Sequence, residues 1–211
     1  MKDMKQLLLS VLMTAVGCLT ASGQIMQRSS IKGLNATAGV NLMGWSSEYY
    51  EFLSEEAGSG YGAGVTASYG ITELIEPYVG FTYSSIAVGE VDAQSMSMSQ
   101  LDVGARLNFL GTIHAWRPFV QAGYSYRVLG MNEISYDTGY IDVRVKSHAP
   151  HVGGGIAYFF NPMWAVYAKG LFTLEGKNNE FFDGQSTGEE PDITAFRVTL
   201  GVKCNIQSLL N

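Results

Sequence analysis

From Leu34 to Cys204 the chain alternates apolar with small or polar residues in eight short runs, joined by connections that are alternately long and short. A period of two places successive side chains on opposite faces of a strand. Tight connections at one end and long ones at the other order such strands as an up-and-down antiparallel sheet. Each run is about as long as a tilted strand needs to cross a bilayer. The spacing therefore predicts an all-β fold, an eight-stranded antiparallel up-and-down transmembrane β-barrel.

The runs are Leu34–Leu42, Tyr61–Ile71, Tyr78–Ile86, Gln100–Phe109, Phe119–Val128, His151–Phe160, Trp164–Leu174 and Ile193–Cys204. The fourth alternates most cleanly, with Leu101, Val103, Ala105, Leu107 and Phe109 on one face and Gln100, Asp102, Gly104, Arg106 and Asn108 on the other. Basic residues on one face of several strands, opposite a wholly apolar face, suit lipid outside and a polar lumen inside. A soluble lipocalin-like carrier needs the reverse polarity.

The short connections are Thr72–Glu76, Leu110–Arg117 and Asn161–Met163, the last carrying the turn pair Asn161-Pro162. The long ones are Met43–Gly60, Ala87–Ser99, Leu129–Pro150 and Glu175–Asp192. Short turns are expected in the periplasm and long loops outside. The third loop alternates around Asp137-Thr138-Gly139, so its strands are expected to continue as a hairpin beyond the membrane, with a bulge near Pro150 where the parity of the apolar positions changes.

Residues 1–23 read as a secretory signal: Lys2 and Lys5, an apolar Leu7–Leu19 stretch, then Ala21-Ser22-Gly23 as the cleavage site. The rival reading is lipidation at Cys18, although Ala15 stands where a Leu is usual. Cleavage leaves Cys204 as the sole cysteine and no intramolecular disulfide. The expected organisation is a periplasmic segment over 24–33, the barrel over 34–206 and a tail over 207–211, located in the outer membrane.

After cleavage the chain carries 18 acidic and 11 basic residues, and fifteen of the acids lie in the four long loops with only Arg144, Lys146 and Lys177 as bases. The inward face leans the other way: Arg106, Arg127, Lys169, Arg197 and Lys203 against Asp102, with Glu175 at the loop border. Such charges need partners in a narrow low-dielectric lumen. Asp102 is expected to pair with Arg127 or Arg106, and Glu175 to approach Arg197. Long inward side chains facing Gly, Ser and Thr would fill a lumen of this size.

Aromatic residues fall near both ends of the outward face. Tyr69, Phe109, Phe160 and Trp164 lie at the turn end, and Tyr61, Tyr83, Tyr126 and Phe172 at the loop end. Amphipathic rings favour the two membrane–water interfaces, so two girdles are expected.

Other chemistry is weakly supported. Gly153-Gly154-Gly155 lacks the Lys and helix of a phosphate loop. His148 and His151, near Ser135 and Glu133, could suggest a hydrolase triad, but nothing in the spacing demands it. No cofactor or metal site is expected, no acidic loop matches a calcium-binding pattern, and the acidity argues against nucleic acid.

The run Arg117-Pro118-Phe119-Val120-Gln121-Ala122-Gly123-Tyr124, the strand–turn–strand Gly153-Gly154-Gly155-Ile156-Ala157-Tyr158-Phe159-Phe160 with Asn161-Pro162-Met163-Trp164, and the closing Phe196-Arg197-Val198-Thr199-Leu200-Gly201-Val202-Lys203 resemble the small bacterial outer-membrane β-barrel superfamily. That superfamily includes the OmpA transmembrane domain, OmpX and the opacity-type porin-like proteins, and the resemblance spans about Lys32 to Asn205. The Ala-Ser-Gly|Gln site is similar to those of exported proteins of Bacteroidota-like Gram-negative bacteria. The family usually ends in an aromatic read by the barrel-assembly machinery, whereas this sequence reads Leu209-Leu210-Asn211 there, and the family's peptidoglycan-binding domain is not expected after Cys204.

Together these features imply a monomeric, non-enzymatic cell-surface barrel with a structural or adhesion-like role, touching outer-membrane lipids and a surface protein or host ligand at its loops. A narrow channel for ions or small solutes and a lipid-modifying enzyme are the alternatives.

Overall fold

The computed structural model describes residues 28–87, 95–136 and 139–207. The expected signal sequence, the second-loop acids Glu90 and Asp92, Asp137 and the last residues of the tail lie outside these.

Eight strands close into the barrel: β1 (Gly33–Ser46), β2 (Ser59–Gly70), β3 (Ile75–Ile86), β4 (Ser95–Asn108), β5 (Trp116–Tyr136), β6 (Gly139–Phe159), β7 (Trp164–Thr173) and β10 (Thr194–Asn205). Each pairs antiparallel with its neighbour, and β1 pairs with β10 to complete the ring. Closure leaves no unpaired edge within the ring, the condition for strands to cross lipid. Among the described residues three further elements lie in the long connections: helix α1 (Glu51–Glu56), and the strands β8 (Lys177–Phe182) and β9 (Gln185–Ser186). The sequence pattern gave no sign of β8 and β9. They add to the outer part of β6, which extends with β5 as a hairpin well past the other strands.

Local chemistry sets the turns. Asn161 Oδ1 accepts the N–H groups of Met163 and Trp164, each at 2.9 Å. Thr72 Oγ1 accepts those of Leu74 and Ile75, each at 3.1 Å. Both close a tight connection with a side-chain oxygen, as Asx and Thr turns do.

The bulge expected near Pro150 is absent. Pro150 pairs with Tyr124 in unbroken register, and the irregularity falls between Met131 and Ile134. No parity change is needed, because Val143 and Val145 face inward, with Val145 fully buried. The polarity of the barrel itself inverts. In the turn-side part the interior is mainly polar, apart from Phe119 and a cluster around Phe159, Ala165 and Tyr167, and the exterior carries Val40, Leu101, Val120, Val166, Val198 and Leu200. In the loop-side part Met43, Trp45, Met96, Met98, Leu129, Met131, Val143 and Val145 fill the interior. The exterior there is Ser46, Ser59, Ser85, Ser95, Ser97 and Thr194. One continuous strand can serve both parts because its two faces are chosen independently at every step.

Candidate functional site

The lumen is built on two buried carboxylates. Glu76 is fully buried and accepts from Lys203 Nζ at 2.6 Å, Ser68 Oγ at 2.6 Å and Asn108 Nδ2 at 3.2 Å, with Arg106 Nη1 at 3.8 Å. Asp102 takes Arg197 Nη2 at 2.5 Å, and its other oxygen accepts from Ser125 Oγ and Gln100 Nε2, each at 2.7 Å. Ser125 also bonds His151 Nδ1 at 2.7 Å, and His151 Nε2 meets the Tyr78 hydroxyl at 2.6 Å. Arg197 and Asp102 stand on β10 and β4, Tyr78 and His151 on β3 and β6. These bonds therefore cross the lumen between strands that are not neighbours.

Two glycines make the crossing possible. A Cβ on Gly123 would lie 2.9 Å from His151 Nε2, and one on Gly104 2.9 Å from the Tyr78 hydroxyl. Each would also meet backbone at 2.2–2.3 Å, so neither position has room for a side chain.

The pairing differs from the sequence expectation. Asp102 binds Arg197, not Arg127 or Arg106. Arg127 donates to Ser147 Oγ at 2.8 Å and to the Ile193 carbonyl at 3.0 Å. Arg106 turns to Glu76, to Gln121 Oε1 at 3.0 Å and to the Tyr78 and Phe119 rings. Glu175 is exposed and leaves Arg197 to Asp102. Lys169 is buried without an ion pair among the described residues, its ammonium 5.9 Å from the Tyr167 ring. Sequence reasoning missed Glu76 by assigning it to a turn. It lies on β3 opposite Arg106, and the two-residue step through Tyr78, Gly80, Thr82 and Ser84 carries its inward parity.

Both ends of the lumen are covered. At the turn end residues 28–32 tuck beneath the barrel. Arg28 and Ser29 N–H groups donate to the Thr112 carbonyl, Asn205 Nδ2 holds the carbonyls of Ser30 and Lys32, and Ile31 is buried beside Phe159, Ala165 and Tyr167. At the loop end the apolar plug sits under α1, where Trp45 Nε1 donates to the Ala57 carbonyl at 2.8 Å. Between them a cavity of about 10 Å³ lined by Met98, Gln100, Thr173 and Arg197 has room for a single water.

The first and fourth loops are latched together. The Tyr50 hydroxyl donates to Glu180, which also accepts from Thr187 Oγ1 at 2.9 Å. Burial and the neighbouring Glu180 carboxylate push the Tyr50 phenol far above its ordinary range. Asp192 accepts the N–H groups of Glu48 and Tyr49 and the Ser47 hydroxyl. Partial burial raises its pKa, but those hydrogen bonds win and hold the carboxyl below the usual range. A lowered folded pKa gives stability that is complete above the unfolded value of about 4 and is lost as the pH falls through the folded value. The protection factors of the Glu48 and Tyr49 amides, intrinsic rate over observed rate, should therefore be high at neutral pH and fall only in acid. Equal protection on both sides of that range would count against the latch.

On the long connections Tyr49, Phe52, Tyr140 and Phe182 are exposed, as are Glu48, Glu51, Glu55, Glu189 and Glu190, with Tyr49 close enough to Glu180 and Glu189 to feel their charge. The eight expected girdle aromatics all project from the outer face, Tyr126 half-buried against His148 and the others exposed. His148 and His151 point to opposite faces of β6, outward and inward, so they share no site. Among the described residues no three His, Cys, Asp or Glu side chains are grouped to hold a metal.

No family model and no curated protein matches the sequence. Solved structures do match. Neisserial surface protein A superposes with a TM-score of 0.58 at 16% identity, over 82% of this chain and 97% of that one. The outer membrane protein OprG from Pseudomonas aeruginosa gives 0.57 at 10%, over 85% and 98%. Ail, the attachment invasion locus protein of Yersinia pestis, gives 0.53 at 11%, over 82% and 98%. The chain has the fold of the small outer-membrane β-barrels.

Proposed function

We propose that this protein is an integral outer-membrane barrel, exported by a cleavable signal, that acts at the cell surface through its acidic, aromatic-bearing loops and carries out no chemistry of its own. The observation that carries this reading is the sealed interior. A filled lumen, plugged by apolar side chains above and by residues 28–32 below, leaves the loop face as the part free to meet a partner. An exposed surface with Tyr49, Phe52, Tyr140 and Phe182 among carboxylates suits recognition of a protein or host ligand, since aromatic anchors dominate interface energetics. Similarity of fold to an attachment protein supports the same direction. The outer girdles would anchor the barrel at both lipid interfaces. Heat-modifiable migration, with protease cleavage on intact cells confined to the loops, is the expected result. Recovery of the protein as a soluble periplasmic monomer would overturn the proposal.

A narrow channel is the second reading, favoured by one observation: six inward cations, Arg106, Arg117, Arg127, Lys169, Arg197 and Lys203, face two inward carboxylates, Glu76 and Asp102, with the half-exposed Glu73 against Arg117 at the turn end. The sealed lumen predicts electrical silence in planar bilayers. A steady anion-selective conductance abolished by Arg106→Ala would instead establish the channel.

A further inference from the structure

The three basic residues of the long loops are not scattered. Arg144, Lys146 and His148 project from the outer face of β6, and Lys177 stands directly opposite His148 on β8. Lys146 and Arg144 follow at successive same-face positions, opposite Asn179 and Phe181. The Lys146 ammonium lies 4.3 Å from the Phe181 ring, which steadies it on the surface. His148 stacks on Tyr124 and contacts Tyr126, with ring centroids 6.4 and 4.8 Å apart. Below these rings the exterior turns apolar, at Val152 and Phe172.

The order along the surface is therefore apolar belt, aromatic rings, cations. Elsewhere on the ring the exterior just beyond the belt is neutral, as at Ser46, Ser85, Ser97 and Thr194. None of Arg144, Lys146 and Lys177 is engaged in an ion pair among the described residues. The nearest carboxylates in sequence are the exposed Glu175, two residues before Lys177, and Asp142, two residues before Arg144 on the same face of β6, where Asp183 accepts its backbone N–H at 3.1 Å. Lys177, level with the His148 ring, and Lys146, one same-face step of about 7 Å further out, reach the headgroup layer above the belt, and Arg144 stands a further step beyond them.

We propose that this patch is a binding surface for phosphate-bearing lipid headgroups of the leaflet that meets the loop end of the barrel. The occupant is argued from charge and place. Arg and Lys recognise phosphate by charge-assisted hydrogen bonds, and the aromatic rings at the belt edge seat the lipid's glycerol or sugar region. A soluble acidic protein would have to approach past the surrounding loop carboxylates, whereas a lipid reaches the patch laterally through the bilayer. The patch also gives the barrel one side that prefers anionic lipid, and so a preferred orientation towards its lipid neighbours.

The inference rests on the membrane reading above, and the two fail differently. The full chain is folded into vesicles, and heat-modifiable migration reports insertion. Native mass spectrometry then compares retained phosphatidylglycerol with phosphatidylcholine from an equimolar bilayer. Wild type is expected to retain phosphatidylglycerol preferentially, with a loss of about fivefold in relative affinity for each charge removed along Arg144→Gln, Lys146→Gln and Lys177→Gln. Lys177→Glu, at an exposed position, serves should the triple variant fold poorly, and it is expected to lose more than Lys177→Gln. Failure of the wild type to insert would bring down the membrane reading and this inference with it. Normal insertion with equal retention of the two lipids, or a preference unchanged by Lys177→Glu, would overturn the lipid surface alone.

Discussion

Glu76→Gln is expected to lower the unfolding free energy of the barrel in lipid vesicles by about 3–5 kcal/mol, read as a shift of the urea midpoint. The loss comes from what is left behind. Among the described residues Lys203 Nζ has Glu76 as its only ion-pair partner, at 2.6 Å, and Lys203 is buried. At the turn end, Asn205 and the tucked residues 30–32 stand over it, so its charge is left desolvated. Arg106 loses its carboxylate too, but keeps Gln121 and the faces of Tyr78 and Phe119. Most of the penalty therefore falls on Lys203. Glu76→Leu combined with Lys203→Met should recover a large part of it, since an apolar pair of similar volume needs no desolvated charge. A midpoint shift equivalent to less than about 1 kcal/mol for Glu76→Gln, the size of an exposed ion pair, would mean that water enters the lumen and screens the pair.

The second large effect tests the inversion of polarity. Leu200→Arg puts a charge on the outer face of β10, where Leu200 is 59% exposed and its neighbours in register are Val40 and Ala168. In a bilayer this costs about 2–4 kcal/mol near the midplane. Ser97→Arg places the same charge on the outer face of β4, in the part where the interior is Met96, Met98 and Leu129. That exterior faces water, and the cost there should fall to about 0–1 kcal/mol. The contrast between the two sites is the measurement. Equal, small effects at both would show that no lipid contacts Leu200. Equal, large effects would move the membrane boundary beyond Ser97.

Much of the fold was legible because strand alternation is local. Whether Leu101 and Val103 share a face, opposite Asp102 and Gly104, is settled by the pleat before any strand finds its neighbour. The same step places Arg106, Arg127, Lys169, Arg197 and Lys203 inside. It would have placed Glu76 there as well, had the short connection been drawn one residue tighter. The third-loop hairpin was also legible. Its facing was misread because Val143 and Val145 look the same whether they meet lipid or a plug.

The sequence alone therefore determined the number of crossing strands, their order and the sides on which polar and apolar residues lie, because each depends on neighbours two residues apart. Only the closed structure decided which charge meets which. Asp102 and Arg197 lie 95 residues apart on strands that never touch. They meet across a lumen whose width and stagger exist only after β1 has joined β10. Closure likewise decided that the loop-side interior is an apolar plug, and that Arg144, Lys146 and Lys177 share one outer face, because β8 finds its place only against the finished edge of β6.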